Sequence, residues 1–262
     1  MQEIIITTVV IGVIGLIIGI ALVAAGKKFY VAVDEKAIAV RECLPGNNCG
    51  ACGYAGCDAV AAAIAAGDAP ANACPVCSAD AVAKIGGVMG VEAEAAQRKT
   101  AQVKCSGDCE HTSAKCNYVG IEDCRAAALA GLNTGSCTFG CLGYGSCVKV
   151  CTYDAIHVVN GVAKVDTSKC VGCGMCAKAC PKGLIEVVRA DRTFVVQCSN
   201  KDRGPAVKKV CSAGCLGCGA CVKQCEHDAI HVEGNLAYID YDKCVGCGKC
   251  AEKCPAKNIV RQ

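Results

Sequence analysis

The longest apolar pattern lies at the N-terminus, where residues 4–26 carry no charged side chain. As an α-helix this run would extend about 34 Å, and the hydrocarbon core of a bilayer is roughly 30 Å thick. Lys27 and Lys28 follow the run, and only the acidic sequence MQE precedes it. A signal peptide fits less well, because its first residues are basic and its apolar run is shorter. The pattern predicts one transmembrane helix in residues 1–28, with the N-terminus outside and the rest of the chain in the cytoplasm.

Two alternating patterns in the C-terminal half predict β-hairpins. The first, residues 155–165, has Asn-Gly at its centre, which favours a type I′ turn. The second, residues 229–239, has Gly-Asn there, which favours a type II′ turn. A short helical pattern follows each hairpin and is predicted to end at Pro181 or Pro255, because proline cannot continue a helix.

The segment between the apolar run and the hairpins has a different pattern. Residues 58–67 are rich in alanine and predict a helix, with Asp58 as its N-cap and Gly67 near its end. Residues 79–100 predict loop and weak helix, and we place a domain boundary near residue 100.

Cysteine dominates the composition, with 28 Cys beside no Trp, three Phe and seven Tyr. With so few large aromatic side chains the apolar core is small, and something other than core packing must stabilise the fold. Because cytoplasmic thiols stay reduced, dense cysteine on that side of the membrane indicates metal binding and not disulfides. A net charge of +3 predicts no nucleic-acid partner.

The cysteines repeat with two periods. Cys141, Cys151, Cys170 and Cys180 recur 74 residues later, and a second period of 29 residues lies inside each copy. The chain is therefore predicted to be α+β and to contain five parts. They are a transmembrane anchor (1–28), a small helical [4Fe–4S] domain (29–100), a cysteine-containing connector (101–135), and two bacterial ferredoxin-like 2×[4Fe–4S] modules, the first module (136–200) and the second module (201–262).

The spacing C-x2-C-x2-C-x3-C is typical of bacterial ferredoxins, in which three cysteines bind one [4Fe–4S] cluster and the fourth binds its neighbour. Four-thiolate zinc sites instead pair two C-x2-C knuckles. In the second module this predicts two sites. The Cys215 site has Cys215, Cys218, Cys221 and Cys254, and the Cys225 site has Cys225, Cys244, Cys247 and Cys250.

The first module departs from this spacing at one position. Its Cys151 site is complete, with Cys151, Cys170, Cys173 and Cys176. Its Cys141 site keeps Cys141, Cys147 and Cys180 but has Tyr144 where the second module has Cys218. Cys137, four residues before Cys141, is one candidate for the missing ligand. A three-iron cluster or no cluster are the alternatives.

Two further groups of cysteines precede the modules. Cys49, Cys52, Cys57 and Cys74, the Cys49 site, form a glycine-rich constellation that suits another [4Fe–4S] cluster, with zinc or reactive thiols as alternatives. Cys105, Cys109, Cys116 and Cys124 have unusual spacing and are candidates for a sixth cluster, or are free thiols. The sequence predicts five clusters in all, and six if this last group binds one.

No motif for other chemistry is present. Neither G-x-G-x-x-G after a strand nor G-x-x-x-x-G-K-[ST] occurs, so no nucleotide is expected to bind by those means. No carboxylate pair or Ser–His arrangement indicates a bond-making catalytic site. One-electron transfer between clusters needs neither.

These motifs together resemble a known family. The N-terminal apolar run, the loop CGACGYAGC with Cys74, and CLGYGSC followed by doubled ferredoxin modules are similar to the B subunit of the Rnf complex, an ion-translocating ferredoxin:NAD oxidoreductase. The resemblance covers nearly the whole chain. One departure is the sequence CPVCSAD where family members have CPPGG or a similar run, so Cys77 competes with Cys74 as a ligand.

The resemblance implies an electron-transfer subunit of a translocase in the cell membrane. It would accept electrons from reduced ferredoxin and pass them to integral membrane subunits, while NAD reduction occurs on another subunit. The alternatives are an electron-transfer subunit of another membrane-bound reductase and an iron–sulfur redox sensor. Paired ferredoxin modules favour electron transfer, since a sensor needs only one exposed cluster.

Overall fold

The computed structural model describes residues 2–28, 34–94, 97–131 and 135–262. Helix α1, Gln2–Lys28, contains the apolar run. Within the described ranges, however, no helix combines the length and the apolar character needed to cross a membrane, so the predicted transmembrane anchor is wrong.

Three helices, α2 (Glu35–Cys43), α3 (Cys57–Ala66) and α4 (Ala79–Met89), build the next domain. They pack around a small core that includes Val40, Ile64 and Ile85. Asp58 was predicted as the N-cap of α3, and this is wrong, because the cap is Gly56 and no side chain bonds there. Asp58 lies in the first turn instead, and its carboxylate accepts a 2.6 Å hydrogen bond from Arg41 Nε.

The first module is held together by strands that are distant in sequence. Its elements are β1 (Lys99–Val103), α5 (Cys124–Leu129), α6 (Ser146–Lys149), β2 (Ile156–Val159), β3 (Val162–Val165), α7 (Met175–Ala179) and β4 (Ile185–Arg189). Strands β1 and β4 pair antiparallel, from Lys99 opposite Arg189 to Val103 opposite Ile185. The strand β1 thus belongs with this module although it begins at the predicted domain boundary near residue 100.

The second module repeats that arrangement. Its elements are β5 (Phe194–Val196), α8 (Gly204–Val210), α9 (Ala220–Gln224), β6 (Ile230–Glu233), β7 (Leu236–Ile239), α10 (Lys249–Glu252) and β8 (Ile259–Arg261). Strand β5 lies within residues 136–200, which the sequence assigned to the first module, and from here on residues 194–262 are called the second module. Strand β5 pairs antiparallel with β8, as β1 pairs with β4. Each module is therefore closed by a strand that precedes its cysteine motifs.

Both predicted hairpins form, as β2–β3 and β6–β7. Asn160 and Gly161 both have positive φ, 50° and 80°, as a type I′ turn requires. Gly234 and Asn235 have φ of 53° and 64°. A type II′ turn has positive φ only at its first central residue, so the type II′ prediction is wrong and this turn also follows the type I′ pattern.

Candidate metal centres

The Cys49 site lies where the loop after α2 meets α3. Cys57 is the first residue of α3, and its backbone N–H donates to Asn48 Oδ1 at 2.8 Å. Cys57 and Cys74 are buried in the core of this domain. A hydrogen bond from the Cys77 thiol lowers the pKa of Cys74 to about 6 and raises the pKa of Cys77. Of the two competing cysteines, this hydrogen bond favours Cys74 as the thiolate and Cys77 as its donor.

The loop of the Cys49 site contacts the first module. Asn47 Nδ2 donates to the hydroxyl of Tyr153 at 2.5 Å. Burial raises the pKa of Cys173, and the neighbouring thiol of Cys49 adds to that rise. The Cys49 site and the Cys151 site are therefore direct neighbours.

Backbone N–H groups point at the cysteine sulfurs in matched places of the two modules. The N–H of Ala155 donates to Cys151 Sγ at 3.5 Å, and the N–H of Ala229 donates to Cys225 Sγ at 3.4 Å. Such N–H···S bonds stabilise a thiolate more than a thiol, and they are among the groups that tune iron–sulfur clusters.

Burial at these sites disfavours the thiolate form of cysteine, which is the form that binds a metal. It raises the pKa values of three thiols, Cys147 to about 11, Cys176 to about 12 and Cys221 to about 11. Thiols with such pKa values are neutral near pH 7 unless a cation binds their deprotonated form. Convergent buried thiols with N–H donors therefore fit a metal cluster, whose irons would supply that charge.

The Cys141 site gains its fourth cysteine from a distant segment. Cys124 lines one cavity together with Cys141, Cys147 and Cys180. The thiols of Cys124 and Cys141 both raise the pKa of Cys147 beyond the effect of its burial. Cys137, which the sequence analysis favoured here, does not line this cavity but a neighbouring one.

A hydrogen-bond network fixes Cys124 at this place. Asp123 caps α5, accepting from the N–H groups of Arg125 at 2.8 Å and Ala126 at 3.4 Å. The hydroxyl of Ser146 donates to Asp123 Oδ2 at 2.8 Å and accepts from the N–H of Cys124 at 2.8 Å. Since Ser146 is the first residue of α6, the network joins the start of α5 to the helix that carries Cys147.

Tyr144 packs on the segment that delivers Cys124. Its ring lies 5.3 Å from that of Tyr118, with the planes tilted by 59°. Both rings pack against a small core of Cys124, Ala127 and Leu142. The aromatic side chain that occupies the position of Cys218 thus supports the replacement cysteine.

At the Cys215 site a buried amide lies beside a cysteine sulfur. Asn258 is fully buried, and its Oδ1 lies 3.3 Å from Cys254 Sγ while its Nδ2 has no hydrogen-bond partner in the structure. Because the two ends of the amide have the same shape, rotating it by 180° would direct an N–H at Cys254. An unpaired buried donor next to sulfur fits a thiolate acceptor at Cys254.

The four cysteines predicted as a possible sixth group do not lie together. Cys124 lines the cavity of the Cys141 site, and Cys105 lines the neighbouring cavity with Cys137. Cys109 and Cys116 are exposed. The sequence spacing could not reveal this, but one signal was available. Ser146 stands where the second module has Ala220, two residues from the Tyr144–Cys218 difference.

No group of His, Cys, Asp or Glu side chains within the described ranges is arranged to hold a single metal ion. This is true of the complete C-x2-C-x2-C sets as well.

Three family models match parts of the chain. Residues 44–76 match the family described as "Putative Fe-S cluster", residues 163–186 match a 4Fe-4S binding domain, and residues 214–258 match a 4Fe-4S dicluster domain. These segments contain the Cys49 site, part of the first module and the Cys215 and Cys225 sites.

Curated proteins are similar over most of the chain. The B subunit of the Na(+)-translocating ferredoxin:NAD(+) oxidoreductase complex of Acetobacterium woodii is 46% identical over 89% of this chain and 71% of its own length. The B subunit of the proton-translocating ferredoxin:NAD(+) oxidoreductase complex of Clostridium ljungdahlii is 40% identical over 92% of this chain and 85% of its own length. The B subunit of the ion-translocating oxidoreductase complex of Methanosarcina acetivorans is 38% identical over 94% of both chains.

Proposed function

Because the chain belongs to the family of B subunits of ion-translocating (Rnf) oxidoreductase complexes, we propose that it accepts electrons from reduced ferredoxin and passes them to membrane-embedded subunits. At the coarser level it is an iron–sulfur electron-transfer subunit of such a complex, with ferredoxin-like 4Fe-4S domains. The names of two relatives, which include ferredoxin and NAD(+), support the choice of donor.

We propose five cluster sites, each with four cysteine ligands from the described residues. Cys124 becomes the fourth ligand of the Cys141 site, in place of Cys137, because it lines the same cavity as the other three. The proposed sets are Cys49, Cys52, Cys57 and Cys74; Cys151, Cys170, Cys173 and Cys176; Cys124, Cys141, Cys147 and Cys180; Cys215, Cys218, Cys221 and Cys254; and Cys225, Cys244, Cys247 and Cys250.

The observation that carries the proposal is that three of these sites, the Cys49, Cys151 and Cys141 sites, follow one another as neighbours. The thiol of Cys49 acts on Cys173 in the Cys151 site, and the thiol of Cys147 acts on Cys176, in each case adding to the rise in pKa caused by burial. Iron–sulfur clusters, when bound, supply one-electron transfer. The protein's residues hold the sites close together, bury the sulfurs and direct N–H groups at them.

We place the chain at the cell membrane, held to the integral subunits of its complex, with its cysteine domains in the cytoplasm. Support comes from 28 cysteines, whose use as metal ligands requires a compartment that keeps thiols reduced. The ion-translocating complexes named for its relatives supply the membrane partners. NAD reduction is assigned to another subunit, in keeping with the missing nucleotide motifs.

The test uses the full chain, loaded with clusters under anaerobic conditions. Mixing it with reduced ferredoxin should bleach its visible cluster absorbance, and oxidised ferredoxin is the control. Dithionite reports separately whether the clusters can be reduced at all. Reduction by dithionite but not by ferredoxin would contradict the proposed donor and favour another reductase or a sensor.

A further inference from the structure

Four cysteines outside the five sites meet where the two modules join. We propose that Cys105, Cys137, Cys198 and Cys211 hold a sixth [4Fe–4S] cluster, shared by the modules, which links the Cys141 site to the Cys215 site. We call this set the interface site. The inference rests on the proposed function, since it adds a step to the same electron path.

The four cysteines occupy two pairs of matched positions. Cys105 lies two residues after the end of β1, and Cys198 lies two residues after the end of β5. Cys137 and Cys211 each lie four residues before the first cysteine of a ferredoxin motif. Each module therefore contributes one cysteine from its closing strand and one from the start of its motif, as expected for a site on a pseudo-twofold axis.

The structure brings these four together around one cavity. Cys105, Cys137, Cys198 and Cys211 all line it. Cys198 and Cys211 are buried, and Cys105 and Cys137 are half-buried. This cavity adjoins the Cys141 site, because Cys141 lines both.

A glycine, Gly107, lies close to thiols from both modules. A Cβ added to Gly107 would lie 3.2 Å from Cys211 Sγ and 3.7 Å from Cys105 Sγ. These two sulfurs, one from each module, thus both lie close to a residue without a side chain. Glycine at such a point allows the backbone to approach a bound group closely.

Hydrogen-bond donors already point at two of the sulfurs. Asn200, which is buried, donates from Nδ2 to Cys137 Sγ at 3.5 Å. The backbone N–H of Cys215 donates to Cys198 Sγ at 3.2 Å. Such donors favour thiolates and are typical of cluster ligands. The second bond also joins the interface site to the first cysteine of the Cys215 site.

Matched serines hold the two modules around the cavity. Ser106 Oγ donates to Gln197 Oε1 at 2.7 Å, and Ser199 Oγ donates to the carbonyl of Lys104 at 3.0 Å. Each serine follows one of the proposed ligands, Cys105 or Cys198, and reaches the other module. The junction is thus fixed on both sides of the four thiols.

The position of the interface site gives it a role in the path. The backbone N–H of Cys141 donates a hydrogen bond to the thiol of Cys105. Cys105 therefore touches the Cys141 site as Cys198 touches the Cys215 site. A cluster here lies between the clusters of the two modules and shortens the transfer from one to the other.

Metal analysis of the full wild-type chain, reconstituted anaerobically with iron and sulfide, tests the proposal directly. Six four-iron clusters correspond to about 24 irons and about 24 acid-labile sulfides per chain. About 20 of each would overturn the inference, and so would about 20 irons together with bound zinc. Neither result depends on transfer from ferredoxin, so it leaves the proposed function to its own test.

Variants locate the sixth cluster. Cys198→Ser and Cys211→Ser should each remove about four irons, or about one iron with the EPR signal of a three-iron cluster. Cys109→Ser is the matched control, since Cys109 is exposed and should leave the iron content unchanged. Unchanged iron and unchanged EPR spectra in the first two variants would overturn the assignment. If neither variant folds, the wild-type iron and sulfide content decides alone.

Discussion

The Cys141 site and the Cys215 site are built on the same frame, but only the proposed ligands of the Cys215 site all come from the two cysteine motifs of its module. In both, the tip of a hairpin lies against the glycine two residues after the first cysteine of the motif. A Cβ at Gly143 would lie 2.8 Å from the carbonyl oxygen of Gly161, and one at Gly217 would lie 2.7 Å from that of Asn235. Both glycines have positive φ, 77° and 62°. The backbone around the first three ligands is therefore preserved even where a ligand has changed.

What differs is the source of the fourth cysteine. The Cys215 site has Cys218 inside the loop, whereas the Cys141 site has Cys124 on α5. Between their first and third cysteines the two loops differ at two positions, with Tyr144 in place of Cys218 and Ser146 in place of Ala220. Tyr144 packs on the incoming segment, and Ser146 hydrogen bonds to Cys124. A binding site can thus move one ligand to another element if its neighbours change to hold that element.

The largest effect is expected from removing the relocated ligand. Cys124→Ser should cost the first module about four irons, or convert one cluster to a three-iron form with loss of about one iron. Cys218→Ser should have the same effect on the second module. Iron and sulfide analysis with EPR of the reduced protein measures both. An unchanged Cys141-site signal in Cys124→Ser would show that Cys124 is not a ligand.

A swap of ligand position makes the comparison sharper. In the Cys124→Ser background, Tyr144→Cys places a thiol where the second module has Cys218, on a backbone with the same glycine geometry. We expect the double variant to regain most of the about four irons that Cys124→Ser loses. Iron content relative to the single variant is the measurement. A folded double variant with no regain would mean that the loop around Tyr144 no longer has ligand geometry.

The parts of the fold that were predicted correctly from the sequence depend on local signals. Asn-Gly marked the first hairpin, and Pro181 and Pro255 marked the ends of α7 and α10. The Cys-x2-Cys runs are equally local. Strand β1 was missed because it forms through pairing with β4, which lies more than 80 residues further along the chain. Pairing at such separation leaves no periodic pattern of its own.

The candidate sites divide in the same way. The cysteines of the regular ferredoxin motifs could be grouped into sites from their spacing. The grouping of Cys124 with the Cys141 site, and that of the interface site, joins segments that only the folded chain brings together. Cys137 was a candidate for the Cys141 site because of its closeness in sequence, but it lines a neighbouring cavity, whereas Cys124 lines the cavity of that site. The transmembrane prediction used the length of the apolar run and the charges that flank it, and no helix within the described ranges meets the requirements for a span.

The hydrogen bonds of Ser146 should matter less than the ligand itself but measurably. Ser146 is buried, and Ser146→Ala would leave the N–H of Cys124 without its acceptor. An unpaired buried donor costs about 1–3 kcal/mol. Because a chain with several clusters does not unfold in two states, hydrogen exchange of the α5 amides is the suitable measurement. The control Ala220→Ser adds a hydroxyl at the matching position of the second module and should not slow hydrogen exchange there. Equal exchange of the α5 amides in Ser146→Ala and wild type would contradict the role of the network.

The smallest expected effect concerns the aromatic pair that supports α5. Tyr118→Leu keeps an apolar side chain against the small core of Cys124, Ala127 and Leu142 but removes the tilted ring contact with Tyr144. Such a contact contributes about 0.5–1.5 kcal/mol beyond the area buried. Hydrogen exchange of α5 should accelerate by the corresponding factor, about 2- to 13-fold. Tyr238→Leu is the matched control in the second module, because Tyr238 is 57% exposed and its loss should change local stability by less than about 0.5 kcal/mol. If both variants exchange alike, Tyr144 occupies the position of a ligand without holding the replacement in place, and the network of Ser146 alone positions Cys124.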